Sequence, residues 1–223
     1  MISKSILDRV NTDLRNTLHV NQWKNSDQVI EWFSSIENKN EHTFIQMDIK
    51  EFYPNITKQI LDNALNFAMK HMTISENELR TINHCRKSLL FSNDEAWKKN
   101  KSHDSFDVTM GSYDGAEVCE LVGIYILNNL SKVTDKCNVG LYHDDGLMIF
   151  RNLKSKDAES TRQEIIKIFK EIGFDIEINI DLKTVDFLDL TLNLNTGTYR
   201  PFKKPNDKLS YVHTSSNHPQ NIM

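Results

Sequence analysis

The feature that most constrains the fold is an acidic turn between two apolar stretches, in residues 140–150. Asp144, Asp145 and Gly146 lie at its centre, and aspartate and glycine are favoured in tight turns because they tolerate unusual backbone angles. The pattern predicts a β-hairpin with these three residues in the turn and residues 147–150 in the returning strand. An Asp-Asp pair before glycine also occurs in ordinary solvated turns, so alone it leaves a structural interpretation open.

A second acid lies upstream, near the end of another apolar run. Residues 44–49 predict a buried strand that carries Asp48. The predicted order through the middle of the chain is strand, helix, helix, hairpin, helix and strand. This order indicates an α+β fold: an antiparallel sheet with helices on one face, in the split βαβ or ferredoxin-like arrangement. The end of the first strand then lies beside the hairpin tip, so we expect Asp48 to lie next to Asp144 and Asp145.

Apolar spacing locates most of the remaining elements. Residues 1–40 carry apolar side chains at helical spacing, and Thr57 is a suitable N-cap for another amphipathic helix. A well-buried helix is expected over residues 118–130 and an amphipathic one over residues 165–172. Alternating isoleucines predict a strand over residues 176–180.

Three further expectations concern segments with weaker patterns. The polar residues 92–107 are expected to form an exposed loop, and alternating leucines predict a strand over residues 188–194. Asp114 and Glu117 have the spacing of a capping box, in which both side chains bond to the first turn of a helix. Glu117 and Glu120 are therefore expected on an exposed face or in a cap, rather than as ligands.

Composition limits the class of protein. The chain has 223 residues, of which 39% are hydrophobic and 26% charged, values typical of a globular protein with one sizeable domain. No run approaches the ~18 apolar residues needed to span a membrane, and the first residues lack a secretion signal. An intracellular location, in the nucleus or cytoplasm, is expected, with no membrane partner. Three cysteines without CxxC spacing indicate reduced thiols, rather than a zinc site or disulfide framework.

Three carboxylates that converge from two strands suit a metal-dependent site. Hard oxygen ligands favour Mg²⁺, and a pair of such ions supports phosphoryl transfer. Asp48, Asp144 and Asp145 are the candidate ligands, and the backbone carbonyl of Ile49 would add another. The alternative is that Asp48 is simply a strand-end residue that caps a turn. The net charge of −4 argues mildly against a nucleic-acid partner, although the residues from Tyr199 onward are basic.

These segments resemble the ordered motifs of reverse transcriptases. The Met-Asp-Ile-Lys-Glu-Phe-Tyr-Pro segment resembles the first catalytic motif, in which an aromatic residue follows the aspartate by five positions. A glycine before the central helix resembles the motif that contacts template and nucleotide, and Tyr-His-Asp-Asp resembles the Tyr-X-Asp-Asp box. Three later segments look like the downstream signature of Penelope-like retroelement polymerases. In chain order, the matching residues are 47–56, 110–111, 141–146, 187–190, 204–205 and 216–219.

The resemblance implies the palm of a right-hand polymerase, with partial fingers and no thumb. Residues 1–40 would belong to the fingers, residues 41–195 to the palm, and residues 196–223 to a basic segment that leads to a missing thumb. The implied activity is that of an RNA-directed DNA polymerase, which extends a primer 3′-hydroxyl on an RNA or DNA template with deoxynucleoside triphosphates. Its catalytic aspartates would bind two Mg²⁺ ions, for which Mn²⁺ substitutes. Oligomeric state stays open.

The resemblance also assigns nucleotide contacts. Tyr53, with its neighbour Phe52, would be the steric gate that excludes a 2′-hydroxyl, although an aromatic residue at a strand end also serves ordinary packing. Gly111 would let the backbone approach the nucleotide, a role compatible with a simple helix-entry turn. Lys183 would lie near the leaving pyrophosphate, with a solvated surface lysine as the alternative.

Contacts to the nucleic-acid backbone are assigned to Lys203 and Lys204, which a solvated basic tail also explains. The chain departs from the family pattern at Met110, where glutamine is usual. No basic strand pair for the triphosphate precedes Asp48, and the sequence ends before a thumb. An inactive retroelement fragment that keeps the fold, at most a nucleic-acid-binding module, is therefore the alternative function. Another palm nucleotidyltransferase, such as a nucleotide cyclase, fits the acids but not the aromatic Tyr53.

Overall fold

The computed structural model describes residues 2–87, 90–97, 106–153 and 155–202. This part of the chain forms seven α-helices and ten β-strands. The helices are α1 (Ile2–Leu18), α2 (Ser26–Ser35), α3 (Phe52–Asn55), α4 (Lys58–Ala68), α5 (Glu76–Cys85), α6 (Gly115–Leu130) and α7 (Ser155–Ile172). The strands are β1 (Asn21–Gln22), β2 (His42–Ile49), β3 (Leu90–Ser92), β4 (Glu95–Trp97), β5 (Val139–Tyr142), β6 (Asp145–Arg151), β7 (Ile176–Leu182), β8 (Thr184–Phe187), β9 (Leu190–Asn193) and β10 (Thr198–Pro201).

The central sheet has five strands in the order β1-β5-β6-β2-β7. Strands β5 and β6 form the predicted hairpin, and β2 pairs antiparallel with β6 on one side and with β7 on the other. The two-residue β1 adds to the edge, parallel to β5. The α+β fold with its split βαβ core is therefore confirmed, and the end of β2 does lie beside the hairpin tip.

Both faces of this sheet are covered, because its central strands alternate buried side chains between them. Ile45 and Met47 point to one face, where α1, α4, α6 and α7 form the larger hydrophobic core. Phe44 and Leu147 point to the other face, where α2 and the strands β8 and β9 form a smaller core. The predicted helical layer is present, and the small three-stranded sheet β10-β9-β8 is an addition to it.

Local capping signals place two of the helices on the larger core. The Thr57 side chain accepts a hydrogen bond from the Ile60 backbone N–H, so the predicted N-cap of α4 is confirmed. Ser75 and Glu78 form a complete capping box at the start of α5, a helix that we did not predict. The weak apolar pattern of α5 explains the omission, since Ile82 is its one buried side chain.

The capping box predicted at α6 is wrong. Asp114 is the N-cap residue, but its side chain makes no capping hydrogen bond. It accepts hydrogen bonds from the side chains of Ser3 and Arg86 instead. Glu117 is buried, at 6% exposure, where Lys4 donates to its carboxylate at 2.6 Å, and Glu120 pairs with Arg15 at 2.7 Å. These two glutamates thus join α6 to α1 and do not form an exposed face.

Two predicted segments differ in detail from the structure. The expected loop over residues 92–107 begins inside a short hairpin, β3–β4, while residues 98–105 lie outside the described part. The leucine alternation over residues 188–194 does not form one strand, because Leu188 adopts a left-handed conformation (φ 54°) in the turn between β8 and β9. In the described residues, no helix combines the length and hydrophobicity needed to cross a membrane.

Candidate active site

Three acidic side chains form a row across the end of the central sheet. Asp48 on β2 lies directly opposite Asp145 on β6 and directly opposite Glu177 on β7. Directly opposed residues in antiparallel strands share a face of the sheet, with Cβ atoms about 5 Å apart. The row lies on the face opposite the larger helical core, because Asp48 alternates with Ile49 and Met47, which point into that core.

The hairpin tip adds the fourth acid, Asp144. Tyr142 pairs with Asp145, so the turn consists of His143 and Asp144, one residue earlier than predicted. His143 adopts a left-handed conformation (φ 50°), which is uncommon for a residue other than glycine and which a two-residue hairpin turn requires. The Ile49 backbone N–H donates to the Asp144 carbonyl at 2.9 Å, and this bond joins the turn to the end of β2.

Gly146 explains why the strands can approach so closely beside the acids. A methyl group built on Gly146 would meet Leu141 and Met47 side-chain atoms at 2.8 Å. A larger residue would therefore force the Leu141 and Met47 side chains to move, next to the strand position of Asp145. The sequence predicted this glycine as part of the turn, but its role is close packing within the strand.

Mutual repulsion and loss of water perturb these acids. Burial, followed by the negative charges of Asp144 and Asp48, raises the pKa of Asp145 to about 6. Partial desolvation, followed by the charges of Asp144 and Glu177, raises the pKa of Asp48. Lys50 opposes this effect, but its ammonium group is paired with Glu177 at 2.9 Å. The cluster therefore carries excess negative charge.

The donor chemistry of this cluster fits a hard divalent cation, since carboxylate oxygens are the ligands of Mg²⁺ and Mn²⁺. A bound cation would also remove the repulsion that raises the pKa of Asp145. The side chains are not arranged as a finished metal site: in the described residues, no group of three His, Cys, Asp or Glu side chains is positioned to hold an ion. Asp48 and Asp144 are exposed, so their carboxylates have room to turn toward Asp145.

The aromatic pair after β2 separates into two roles. Phe52 is 2% exposed and packs against Phe174, with ring centroids 5.3 Å apart, so its side chain presents no surface to a ligand. Tyr53 is partly exposed beside the hairpin turn, 6.4 Å from the His143 ring. Burial, followed by the neighbouring thiol of Cys119 on α6, raises the pKa of Tyr53 to about 12.

Gly111 and Met110 form part of an exposed turn before α6. Gly111 has a positive φ of 85°, and a methyl group built on it would meet no atom within 4 Å. The open space leaves its backbone accessible, while the backbone angle favours glycine. Met110 is 75% exposed, so this departure from the family pattern places an apolar side chain in solvent rather than in the core.

The structure does not bring Lys183 to the acidic cluster. Its ammonium group donates to the carbonyls of Asn40 and His42, at 2.9 and 2.6 Å. His42 begins β2 and Asp48 is six positions further along it, which corresponds to about 20 Å. The expected contact with a leaving pyrophosphate therefore has no support in this geometry. Lys203 and Lys204, like residues 204–205 and 216–219, lie outside the described residues.

Two neighbours of the site were not predicted. Glu177 belongs to the acidic row, and the alternation of the isoleucines around it is the signal that could have placed its side chain on the same face of β7 as Asn179. Cys119 contacts Tyr53 from α6, at 1% exposure. No local signal identifies Cys119, because this contact depends on how α3 packs against α6.

Comparison with known proteins assigns the fold. No family model and no curated protein matches the sequence. Among solved structures, a Candida tropicalis telomerase is similar over 90% of this chain and 45% of its own, with 13% identity and a TM-score of 0.66. A Candida albicans telomerase, in complex with the TWJ fragment of telomeric RNA, is similar over 90% and 37%, with 13% identity and a TM-score of 0.63. An RNA-dependent RNA polymerase of a human picobirnavirus is similar over 75% and 32%, with 11% identity and a TM-score of 0.53.

The chain thus spans less than half the length of each of these solved proteins. At such low identity the similarity concerns the fold. The antiparallel sheet, the helical layer beneath it and the acidic hairpin beside the end of β2 are the parts from which a polymerase palm is built. This chain has the α+β palm fold of nucleic-acid polymerases.

Proposed function

We propose that this chain is the catalytic palm of an RNA-directed DNA polymerase, which transfers nucleotides to a primer 3′-hydroxyl. One observation carries the proposal: Asp48 and Asp145 oppose each other across β2 and β6, with Asp144 at the adjoining turn. A fold gains no stability from like charges placed directly opposite each other. A positively charged ligand would explain why these acids lie together at the end of a palm-type sheet.

Divalent cations of the Mg²⁺ type are the proposed ligand, with Mn²⁺ as a substitute. When bound, two such ions would activate the primer hydroxyl and neutralise the charge that develops on the triphosphate. Asp48, Asp144 and Asp145 would hold them through their carboxylates. The Ile49 backbone would contribute at the same place, where its N–H already bonds to the Asp144 carbonyl. The deprotonated state that this role requires is reached as the pH rises above the raised pKa of Asp145, about 6.

Tyr53 is the proposed sugar contact and the reason for choosing deoxynucleotides. Its ring lies between the Phe52 ring and the His143 ring, beside the turn that carries Asp144. A ring fixed in this way would leave no space for a 2′-hydroxyl. The exposed backbone of Gly111 would lie along the nucleotide or template. Phe52 would act indirectly, because its packing on Phe174 fixes the position of Tyr53.

The similar solved structures support a nucleic-acid partner. One of them is a telomerase in complex with a fragment of telomeric RNA, and another is a BmCPV RNA-dependent RNA polymerase at elongation state. We extend this to a primed RNA or DNA template for this chain. Origin in a retroelement, of the Penelope-like type, and an intracellular location are further parts of the proposal, based on the sequence motifs.

The direct test is primer extension on an RNA template with Mg²⁺ or Mn²⁺. The wild-type chain is compared with an Asp144→Asn/Asp145→Asn variant, in which ion binding is lost while the side-chain volumes stay the same. Asp181→Asn is the matched control, since Asp181 is an exposed acid at the far end of β7. Its left-handed backbone (φ 59°) also suits asparagine.

We expect deoxynucleotide incorporation by the wild type and by Asp181→Asn, and a loss of at least about 10³-fold in the double variant, the scale on which single catalytic groups act. Mn²⁺ binding by calorimetry should be lost in parallel. If the wild type neither binds Mn²⁺ nor extends the primer, the alternative of an inactive fragment that retains the fold is correct. If the double variant extends the primer as well as the wild type, these aspartates are not the catalytic groups.

The sugar assignment has its own test. Tyr53→Ala should incorporate ribonucleotides more efficiently relative to deoxynucleotides, by about tenfold or more, because the ring no longer excludes the 2′-hydroxyl. Tyr53→Phe keeps the ring and should keep most of the discrimination. Equal discrimination by the wild type and by Tyr53→Ala, in an active protein, would refute the role of this ring.

A further inference from the structure

A second polar surface lies in a cleft of about 370 Å³ along α5, which is also lined by Lys58 at the start of α4 and by Phe106. None of the residues that line it belongs to the acidic row or to the hairpin turn. Its volume is in the range of ligand-binding clefts in general. Within the described residues, α5 also packs against α1.

Basic side chains lie along one side of the cleft. Arg80 and His84 are four residues apart on one face of α5, and Lys87 follows in the turn after the helix, where it forms a β-bridge with Phe106. Four residues of helix correspond to roughly 6 Å. The line from Arg80 past His84 to Lys87 is therefore longer than a single phosphate group, and it suits an extended polyanion.

The lysines and arginines of the lining differ in their partners. Arg86 pairs with the buried Asp114 and Lys58 pairs with Asp62, so Arg80 and Lys87 are the cations that this surface offers to a ligand. Arg80 and Glu76 form an ion pair, but both side chains are more than 70% exposed. Such a pair contributes little and exchanges readily with another anion. Lys87 forms no ion pair with any of the described residues.

The walls of the cleft also contain polar atoms that the fold does not satisfy. The Asn83 Oδ1 atom and the Arg86 Nε atom are buried without a hydrogen-bond partner in the described part of the chain. Unsatisfied buried polar atoms are few in folded proteins and call for an explanation. Phe106, partly buried at the edge of the cleft, adds an aromatic surface beside the cations.

We propose that this cleft binds the backbone of a single-stranded nucleic acid. The cations would bind successive phosphates, and Phe106 would contact a base, the combination on which sequence-independent strand binding depends. The inference adds a strand contact to the proposed polymerase function. It does not require catalysis, because none of its residues is shared with the acidic cluster.

The test is fluorescence anisotropy with a labelled twelve-nucleotide single-stranded RNA, and with the DNA of the same sequence, in EDTA. The wild-type chain is compared with Arg80→Gln/Lys87→Gln. The control variant is Lys167→Gln/Lys170→Gln, which changes the net charge equally at two exposed lysines of α7. All four side chains are exposed, so we expect both variants to fold, as checked by circular dichroism.

We expect the cleft variant to bind about tenfold more weakly, with a salt dependence of log K reduced by about 1.4, because each lost phosphate contact on a single strand contributes about 0.7. The control should bind like the wild type. Glu76→Gln should bind more tightly, since it removes the one acid from the lining. Asp144→Asn/Asp145→Asn should not weaken binding, and so its loss of primer extension tests the polymerase proposal separately.

Three results would overturn the proposal. Equal weakening by the α7 control would mean that only net charge matters. Equally tight binding of a polyglutamate of the same charge would mean that the cleft does not select a nucleic acid. Full competition by free inorganic phosphate, at the same phosphate concentration as the oligonucleotide, would mean that the cleft is a site for a single phosphate and not for a strand.

Discussion

Carboxylates are clustered at two places in the described part of this molecule, with cationic partners at one place and without them at the other. Between α1 and α6, each buried acid has a cation beside it: Arg86 donates to Asp114, and Lys4 donates to Glu117. At the end of the central sheet, Asp48 and Asp145 face each other, and Lys50, the nearby cation, pairs with Glu177 instead. The first group is compensated within the fold, and the second is not.

The difference separates structural acids from functional ones. A buried charge that has a partner contributes to a defined packing of two helices, and removal of the partner is costly. Acids that are partly buried and repel each other lower the stability of the metal-free protein, and both effects, burial first, raise the pKa of Asp145. Such a group of acids requires a cation from solution as its partner. The comparison therefore makes opposite predictions for substitutions in the two places.

The largest effect is expected where compensation is removed. Arg86→Leu leaves Asp114 buried, at 4% exposure, with the Ser3 hydroxyl as its remaining side-chain partner among the described residues. We expect the free energy of unfolding to fall by about 3–5 kcal/mol, measured by urea denaturation. Arg80→Leu is the matched control: its side chain is 72% exposed, and the expected loss is below about 0.5 kcal/mol.

A second substitution checks the cause of this effect. Adding Asp114→Asn to Arg86→Leu removes the uncompensated charge and should recover at least about half of the lost stability. If the double variant is no more stable than Arg86→Leu, the loss reflects packing of the arginine side chain and not its charge. The pairing of Arg86 with Asp114 would then not be the reason for its contribution to stability.

The next prediction tests whether a divalent cation from solution neutralises the acids of the central sheet. Mn²⁺ at ten times its dissociation constant should stabilise the wild-type chain by about 1.4 kcal/mol, since ligands that bind the native state raise its stability by mass action. Asp144→Asn/Asp145→Asn should gain nothing from Mn²⁺. Thermal melting with and without EDTA measures both. Equal stabilisation of the two proteins would place the ion elsewhere.

Substitution of a single acid should raise stability without any ion. A pKa raised from 3.8 to about 6 corresponds to at most about 3 kcal/mol for Asp145. The side chain keeps part of its contact with solvent, so we expect Asp145→Asn to stabilise the metal-free protein by about 1 kcal/mol at pH 7.5. Urea denaturation in EDTA measures this gain.

The pH dependence of that gain follows from the direction of the pKa change. Between pH 3.8 and about 6 the native state binds the Asp145 proton more tightly than the unfolded state does, so wild-type stability falls as the pH rises through this window. The advantage of Asp145→Asn is therefore full above pH 6 and disappears near pH 4. A constant advantage at every pH would show that ionisation of Asp145 is not its cause.

The elements that position the site could be predicted from the sequence because their signals are local. Apolar residues four positions apart identified α1, and apolar segments identified β2 and β7. Such patterns can be recognised within a short segment, without information on distant contacts. The convergence of Asp48 with the hairpin followed from the order of the elements alone. These are the parts of the molecule in which local preference and tertiary packing agree.

The features that sequence reasoning missed depend on distant contacts. The Ser75–Glu78 and Asp114–Glu117 pairs have the same spacing, yet only the first forms a capping box, because Ser3 and Arg86 bind Asp114. Lys183 was expected near the nucleotide by resemblance, but the turn after β7 places it at the far end of β2. Nothing within a few residues of these positions distinguishes the two outcomes.

The smallest effect is expected at Lys50, the cation next to the acidic row. Lys50→Gln removes the one cation that lowers the pKa of Asp48, and the pKa of that carboxyl should rise further as a result. The Lys50–Glu177 pair is exposed, at 49% and 65%, so we expect the free energy of unfolding to change by less than about 0.5 kcal/mol. Urea denaturation measures the change. A loss above about 1 kcal/mol would mean that Lys50 compensates the acidic row as Arg86 compensates Asp114, and the distinction between the two places would then fail.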